Sequence, residues 1–172
     1  GANLGAYVMG RSGTVSAAVE AAFFDVPAIA VSQYVPTTPD EEFENINPPA
    51  EAYRQACDAA AYLADHAPES GVFESADYLN VNAPALEDVD GEPEMVVTAP
   101  SKLYAMSATF DGESIRLEDQ VWRQMQSGEI PDENGTDRRA VVDGKISVSP
   151  LTAPHSVERH PRLDELAETY ER

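Results

Sequence analysis

Lysine is almost absent from this sequence. Lys102 and Lys145 are the only two, and Lys plus Arg total 11 against 31 Asp plus Glu, a formal net charge of −20. That balance excludes a nucleic-acid polymer or an anionic membrane surface as a partner, because both demand a basic face. It does not describe a disordered acidic tail either, since 42% of the residues are hydrophobic and recur at regular spacing. The acid is read as an adaptation to solvent, a folded protein of a high-salt cytoplasm. There the Debye length contracts to about 3 Å at molar salt, and self-repulsion is screened. Cysteine is reduced to Cys57. No internal disulfide can form, which suits a reducing compartment, and within an alanine-rich helical stretch Cys57 is expected as a small core residue rather than a nucleophile. No apolar run approaches the roughly eighteen residues of a transmembrane helix. His66, His155 and His160 lack the spacing of a zinc site. No Gly-x-Ser-x-Gly elbow is present for a nucleophilic serine. At 172 residues the chain is long enough for one domain with its own core.

What is there is organised around the opening, Gly1 to Ser32. A glycine-broken loop carrying the amide Asn3 narrows to Arg11-Ser12-Gly13-Thr14 and runs into a small-residue helix, Val15 to Phe24. Pro27 then starts an apolar strand, Ala28 to Ser32. A Gly/Ser/Thr loop feeding a helix N-terminus is a place where an anion can sit, because the first N–H groups lack intrahelical partners and the helix dipole adds positive charge. Spacing leaves two roles open for Ser12 and Thr14, helix capping or anion binding. Arg11 either steers an anion to the loop or pairs with one of the many acids.

Further along, the proline-rich acidic stretch 33–49 reads as a loop pinned by Phe43. The pattern Tyr53, Ala56, Cys57, Ala60, Leu63, Ala64 predicts a helix from about Pro49 to Ala64. Tyr78–Asn82 alternates like a strand, its Asn80 and Asn82 either facing outward, bonding a neighbouring loop or lining a site. The acidic run Glu87–Glu94 reads as a solvated loop and Met95–Thr98 as a short strand. Two alternating runs around Asp111-Gly112, continuing to Ile115 and Leu117, predict a hairpin that either projects toward a second subunit, with Trp122 and Met125 at its base, or folds onto its own domain. Thr136 or Asp137 caps a brief helical turn closed by Gly144, and Asp137 is alternatively near the site. A strand follows at Lys145–Ser149, and Leu163, Leu166, Ala167 and Tyr170 predict a C-terminal amphipathic helix over 161–172.

Gly1-Ala2-Asn3-Leu4-Gly5, Ser12-Gly13-Thr14-Val15, Ala17-Ala18, Glu20 and Val26-Pro27-Ala28-Ile29-Ala30-Val31-Ser32 together resemble the central signature of the SurE survival-protein family. Two later blocks resemble it in the same order: Leu79 through Pro84, and Gly135-Thr136-Asp137 through Gly144 to Ile146–Leu151. The loop between Leu4 and Ser12 departs from many bacterial members by one extra residue. The resemblance implies an α/β, three-layer αβα Rossmann-like fold, with a projecting hairpin arm within 95–125 used in assembly. It implies a metal-dependent phosphatase of nucleoside monophosphates that forms a homo-oligomer, a dimer or tetramer. By the same resemblance Asn3, Ser12, Gly13 and Thr14 bind phosphate. The divalent ion, Mg²⁺ or Mn²⁺, is held by paired aspartates, a serine and an asparagine whose counterparts would lie upstream of Gly1. The expectation is therefore a C-terminal portion of such an enzyme. Its rivals are a phosphate-binding or oligomerising piece without turnover, and an acidic structural domain in which Ser12 and Thr14 only cap.

Overall fold

The computed structural model describes residues 1–36, 47–85, 89, 91–104 and 106–153. The expectations for Phe43, for most of the acidic run Glu87–Glu94, for His155 and His160 and for the C-terminal helix over 161–172 fall wholly or partly outside these residues.

After the Gly1–Gly5 loop comes a single turn, α1 (Ala6–Met9), and then α2 (Gly13–Ala22). Ser12 is the N-cap of α2, its hydroxyl accepting the Val15 N–H at 3.1 Å. The helix ends two residues earlier than the apolar pattern predicts, leaving Phe23 and Phe24 exposed. Asp25 takes a left-handed φ of 54°, and the Val26 N–H reaches back to the Ala21 carbonyl, which closes the helix.

Strand β1 (Ala28–Gln33) follows. A 3-10 turn (Ala50–Tyr53) leads into α3 (Arg54–His66), and then β2 (Tyr78–Ala83). Next come β3 (Met95–Val97), the hairpin strands β4 (Met106–Phe110) and β5 (Ile115–Asp119), α4 (Gln120–Ser127), α5 (Asp137–Val142) and β6 (Ile146–Leu151). The main sheet has the order β1-β2-β6-β3. Strands β1 and β2 are parallel, β2 and β6 antiparallel, and β6 and β3 parallel. Met95–Val97 therefore belongs to the main sheet, and the hairpin within the 95–125 region narrows to β4–β5.

The two helices take opposite faces because strand side chains alternate. Val15 and Ala18 of α2 pack with Ala30 and Tyr78. Ala56, Ala59 and Leu63 of α3 pack with Leu79, Val81, Ile146 and Val148. This is the helix–sheet–helix layering of an α/β fold. The buried stripe of α3 is Gln55, Ala56, Ala59 and Leu63, rotated from the predicted one, and Tyr53, Cys57 and Ala64 are exposed. The alanines of this helix mark no face by themselves. Ala59, against the strands, sets the rotation, and Cys57 is not a core residue.

The hairpin β4–β5 pairs only with itself, and Phe110, Ile115 and Leu117 are more than 60% exposed on it. Its turn is held by the Asp111 carboxylate, which accepts from the Glu113 and Ser114 N–H groups and the Ser114 hydroxyl. These bonds hold its carboxyl down at about 2. At its base Val121 and Met125 are buried in a cluster with Ala2, Leu4, Tyr34 and Val141, and Trp122 stacks on Tyr34 at 6.0 Å.

Among the described residues three ion pairs form: Arg138 with Asp132, Arg139 with Asp143, and Lys145 with Glu94. Three pairs leave the net −20 to repel itself across the surface. Thermal unfolding should therefore shift to higher temperature as KCl rises from roughly 0.1 M to molar levels, where the Debye length falls from about 10 Å to about 3 Å. A midpoint indifferent to salt by calorimetry would remove the solvent-adaptation reading.

Candidate phosphate site at the mouth of the first long helix

The polar face of the sheet builds this region. Ser32, Asn80, Asn82, Ser147 and Ser149 project on the α2 side, opposite the apolar Leu79, Val81, Ile146 and Val148. The register places Ser32 beside Asn82, Asn82 beside Ser147, and Asn80 beside Ser149. Both asparagines, Ser147 and Ser149 are fully buried, and Thr98 closes the ladder, its hydroxyl 2.7 Å from Ser147 and 2.8 Å from Ser149.

The Gly1–Gly5 loop lies on that polar face. The Asn3 N–H donates to Asn82 Oδ1 at 2.7 Å. Its carbonyl accepts from the Asn80 and Asn82 amides at 2.9 and 3.2 Å, and its own Nδ2 donates to the Ser32 hydroxyl at 2.6 Å. The asparagines of β2 thus bond a neighbouring loop rather than face outward. Asn80 Oδ1 is buried with no hydrogen-bond partner among the described residues. Apart from that oxygen these buried polar groups satisfy one another, which is what makes their burial tolerable, and the result is a fixed backbone path for Asn3.

A second clamp holds the other end of the loop. The Asp137 carboxylate is fully buried and accepts from the Gly5 N–H at 2.6 Å, the Ser101 N–H at 2.9 Å and the Arg138 N–H at 2.8 Å. Burial pushes its carboxyl above the ordinary carboxylate range, against the pull of those three N–H groups and the Arg138 charge. Arg138 in turn pairs with Asp132 and donates to the Ser101 hydroxyl and the Leu103 carbonyl. Gly5 has no substitute here. Its φ is +78°, and a Cβ would meet the Ser101 carbonyl at 3.3 Å. Asp137 therefore ties two loops together rather than capping its helix. Thr136 stands at the N-cap of α5 but makes no side-chain cap bond.

From this anchored loop the chain passes through α1 to Arg11, Ser12, Gly13 and Thr14. Ser12 is buried, its hydroxyl accepting the Val15 N–H, whereas Gly13 and Thr14 are exposed. Neither the N–H of Gly13, nor that of Thr14, nor the Thr14 hydroxyl has a partner among the described residues. A Cβ on Gly13 would meet nothing within 4 Å, so the space beside Gly13 in the first turn is open. Arg11 pairs with no described acid; its guanidinium lies over the Tyr7 ring, 4.2 Å from the centroid. Of the four residues singled out from sequence, Gly13 and Thr14 present free donors, Asn3 is half-buried and bonded to Ser32, and Ser12 is a cap. Sequence reasoning did not foresee the supporting roles of Ser32, Thr98 and Ser101.

Among the described residues no group of three or more His, Cys, Asp or Glu side chains forms a metal site. Both Asp137 oxygens are already taken by N–H donors, so the described side chains do not fit a divalent ion on their own. A cavity of about 870 Å³ lies on the opposite sheet face beside α3, lined by Tyr62, His66, Met95, Val97 and Val148 among others. It does not open onto the helix mouth.

Comparison with known proteins now adds to the geometry. A family described as "Survival protein SurE" matches residues 1–108. The chain is 61% identical over 171 residues to the 5'-nucleotidase SurE of Haloarcula marismortui, covering 99% of this chain and 63% of that protein. To the 5'-nucleotidase SurE of Haloquadratum walsbyi it is 56% identical, covering 99% and 64%. The crystal structure of the Sure protein from Aquifex aeolicus superposes with a TM-score of 0.61 at 27% identity, covering 98% of this chain and 62% of that one. The chain thus spans somewhat under two thirds of the length of these relatives. With a family match over most of its length and an αβα architecture shared with a solved member, this chain belongs to the SurE survival-protein family.

Proposed function

We propose that this chain is the phosphate-holding portion of a metal-dependent phosphomonoesterase acting on nucleoside monophosphates. The observation that carries the reading is the pair of free N–H donors, Gly13 and Thr14, at the start of a ten-residue helix with open space beside Gly13. A phosphoryl group there meets two backbone N–H groups, the Thr14 hydroxyl and the positive end of the helix dipole. Such donors act in the transition state because they are already aimed before charge develops. The Asn3 loop, fixed by Asn80, Asn82 and Asp137, leads through α1 to the same mouth, and its side-chain amide, now on the Ser32 hydroxyl, is a further donor once it leaves Ser32. The chain's own residues bind and orient. The divalent ion that the family relation implies, Mg²⁺ or Mn²⁺, would supply charge neutralisation and a more acidic bound water, through ligands not assembled by the described residues.

The absence of a self-contained metal cluster among those residues supports a second reading, a phosphate-binding or oligomerising piece without turnover of its own. The exposed Phe110, Ile115 and Leu117 on the hairpin support assembly into a homo-oligomer. No described helix is long and apolar enough to cross a membrane, and the single exposed cysteine agrees with a cytoplasmic location.

Calorimetric titration of the full chain with inorganic phosphate tests the site. Thr14→Ala should weaken binding by about tenfold to a hundredfold, the worth of one hydrogen bond to a charged group, and Asn3→Ala should also weaken it. Unchanged affinity in both would leave Ser12 and Thr14 as helix residues only. Metal-dependent phosphate release from a mononucleotide then separates hydrolase from binding piece: binding without release supports the second reading.

A further inference from the structure

We propose that the stack formed by Tyr104, Tyr7 and Arg11 beside the mouth of α2 is a platform for the nucleobase of a nucleotide whose phosphate sits at that mouth; this rests on the phosphate reading above and extends it to the base. The Tyr7 ring has Tyr104 at 3.8 Å between centroids, tilted by 35°, and the Arg11 guanidinium carbon at 4.2 Å. One face of a six-membered ring has no room for two groups at those separations, so they take opposite faces. Tyr7 is the middle layer and Arg11 the outer one.

Arg11 is exposed, and in a chain with 31 acids an exposed arginine would ordinarily find a carboxylate. Here it makes no ion pair with a described residue and instead sits over an aromatic ring, 4.2 Å from its centroid. That arrangement presents a planar cation whose outer face is open for stacking and whose N–H edge remains a donor. A heterocyclic base stacks on a guanidinium as it does on an aromatic ring.

Position joins this platform to the phosphate donors. Arg11 is adjacent in sequence to Ser12, the cap of α2. Tyr7 stands on the turn that starts from the Asp137-clamped Gly5, and the Met9 N–H and Ser12 N–H bonds to the Gly5 and Met9 carbonyls make one continuous support. The contacts are faces rather than specific donors and acceptors. The platform therefore accepts any base and favours purines by area, without reading their edges.

The test compares adenosine 5'-monophosphate with ribose 5-phosphate, which carries the phosphate and sugar but no base, by calorimetry on the full chain in high salt. Arg11→Lys keeps the charge and loses the plane, and Tyr7→Ala removes the support. Each should weaken the mononucleotide about tenfold, the ordinary worth of one stacked base, while leaving ribose 5-phosphate within about twofold. Circular dichroism and the thermal midpoint confirm that the variants fold. If wild type binds both compounds equally and the variants change neither, or if Arg11→Lys weakens both alike, the platform is overturned and the phosphate site stands. Should wild type bind neither compound, the phosphate site itself falls, and the platform with it.

Discussion

Replacing Asp137 by alanine should cost about 3–5 kcal/mol of stability, the largest loss for any single side chain in this region. The substitution strips acceptors from three buried N–H groups at once, those of Gly5, Ser101 and Arg138. It also leaves Arg138 with Asp132 as its only carboxylate partner among the described residues. Against a typical total of about 5–15 kcal/mol, such a loss threatens folding outright. Asp137→Asn should cost less, about 1–3 kcal/mol, because one oxygen survives while the new NH₂ confronts a donor. The pH dependence has a definite sign. Burial raises the folded carboxyl above its unfolded value of about 4, so the folded chain holds that proton to higher pH. The contribution of this group is complete below the unfolded value and is lost as pH rises through the folded one. The gap in stability between wild type and Asp137→Ala should therefore narrow as pH rises through that window. Urea unfolding of the three proteins at several pH values reads all of this. A loss under about 1 kcal/mol for the alanine variant would mean that the two loops are held by something other than this carboxylate.

Why Asp137 was legible as a helix cap or a neighbour of the site, but not as a clamp between two loops, follows from the range of its contacts. Ser12 announced itself because a cap acts three residues away. The Asp111-Gly112 turn did so because both strands of its hairpin are adjacent in sequence. The β1 and β2 strands and the mouth of α2 were visible on the same local terms. The Asn3 contacts with Asn80 and Asn82 span 77 and 79 residues, and the Gly5 contact with Asp137 spans 132. No periodicity encodes such distances, and two asparagines alternating on a strand look the same whether they meet water or a loop. Gly5 was visible only as one glycine of a broken loop; its left-handed φ of +78° and the carboxylate it meets were not. Composition misled in one place. Alanines all round α3 hid which face was buried, and Cys57 was assigned inward when Ala59 holds that place.

Gly13→Glu should separate fold from ligand more sharply than any substitution of a bonded side chain. The position is already helical and a Cβ there meets nothing, so the new side chain requires no repacking. Losing a glycine from a helix returns about 0.5–1 kcal/mol, and a carboxylate in the first turn adds about 0.3–1 kcal/mol through the helix dipole. The thermal midpoint should stay level or rise by a few degrees. Phosphate binding should nevertheless fall by at least about tenfold, because the new carboxylate takes the same N–H donors and repels a dianion at contact distance, where salt screens little. Gly13→Gln, of nearly the same shape without the charge, should lose less, and the difference between the two measures the anion preference of the mouth. A Gly13→Glu chain that folds as well as wild type and binds inorganic phosphate as tightly would show that no anion sits there. The open space beside Gly13 would then be only solvent.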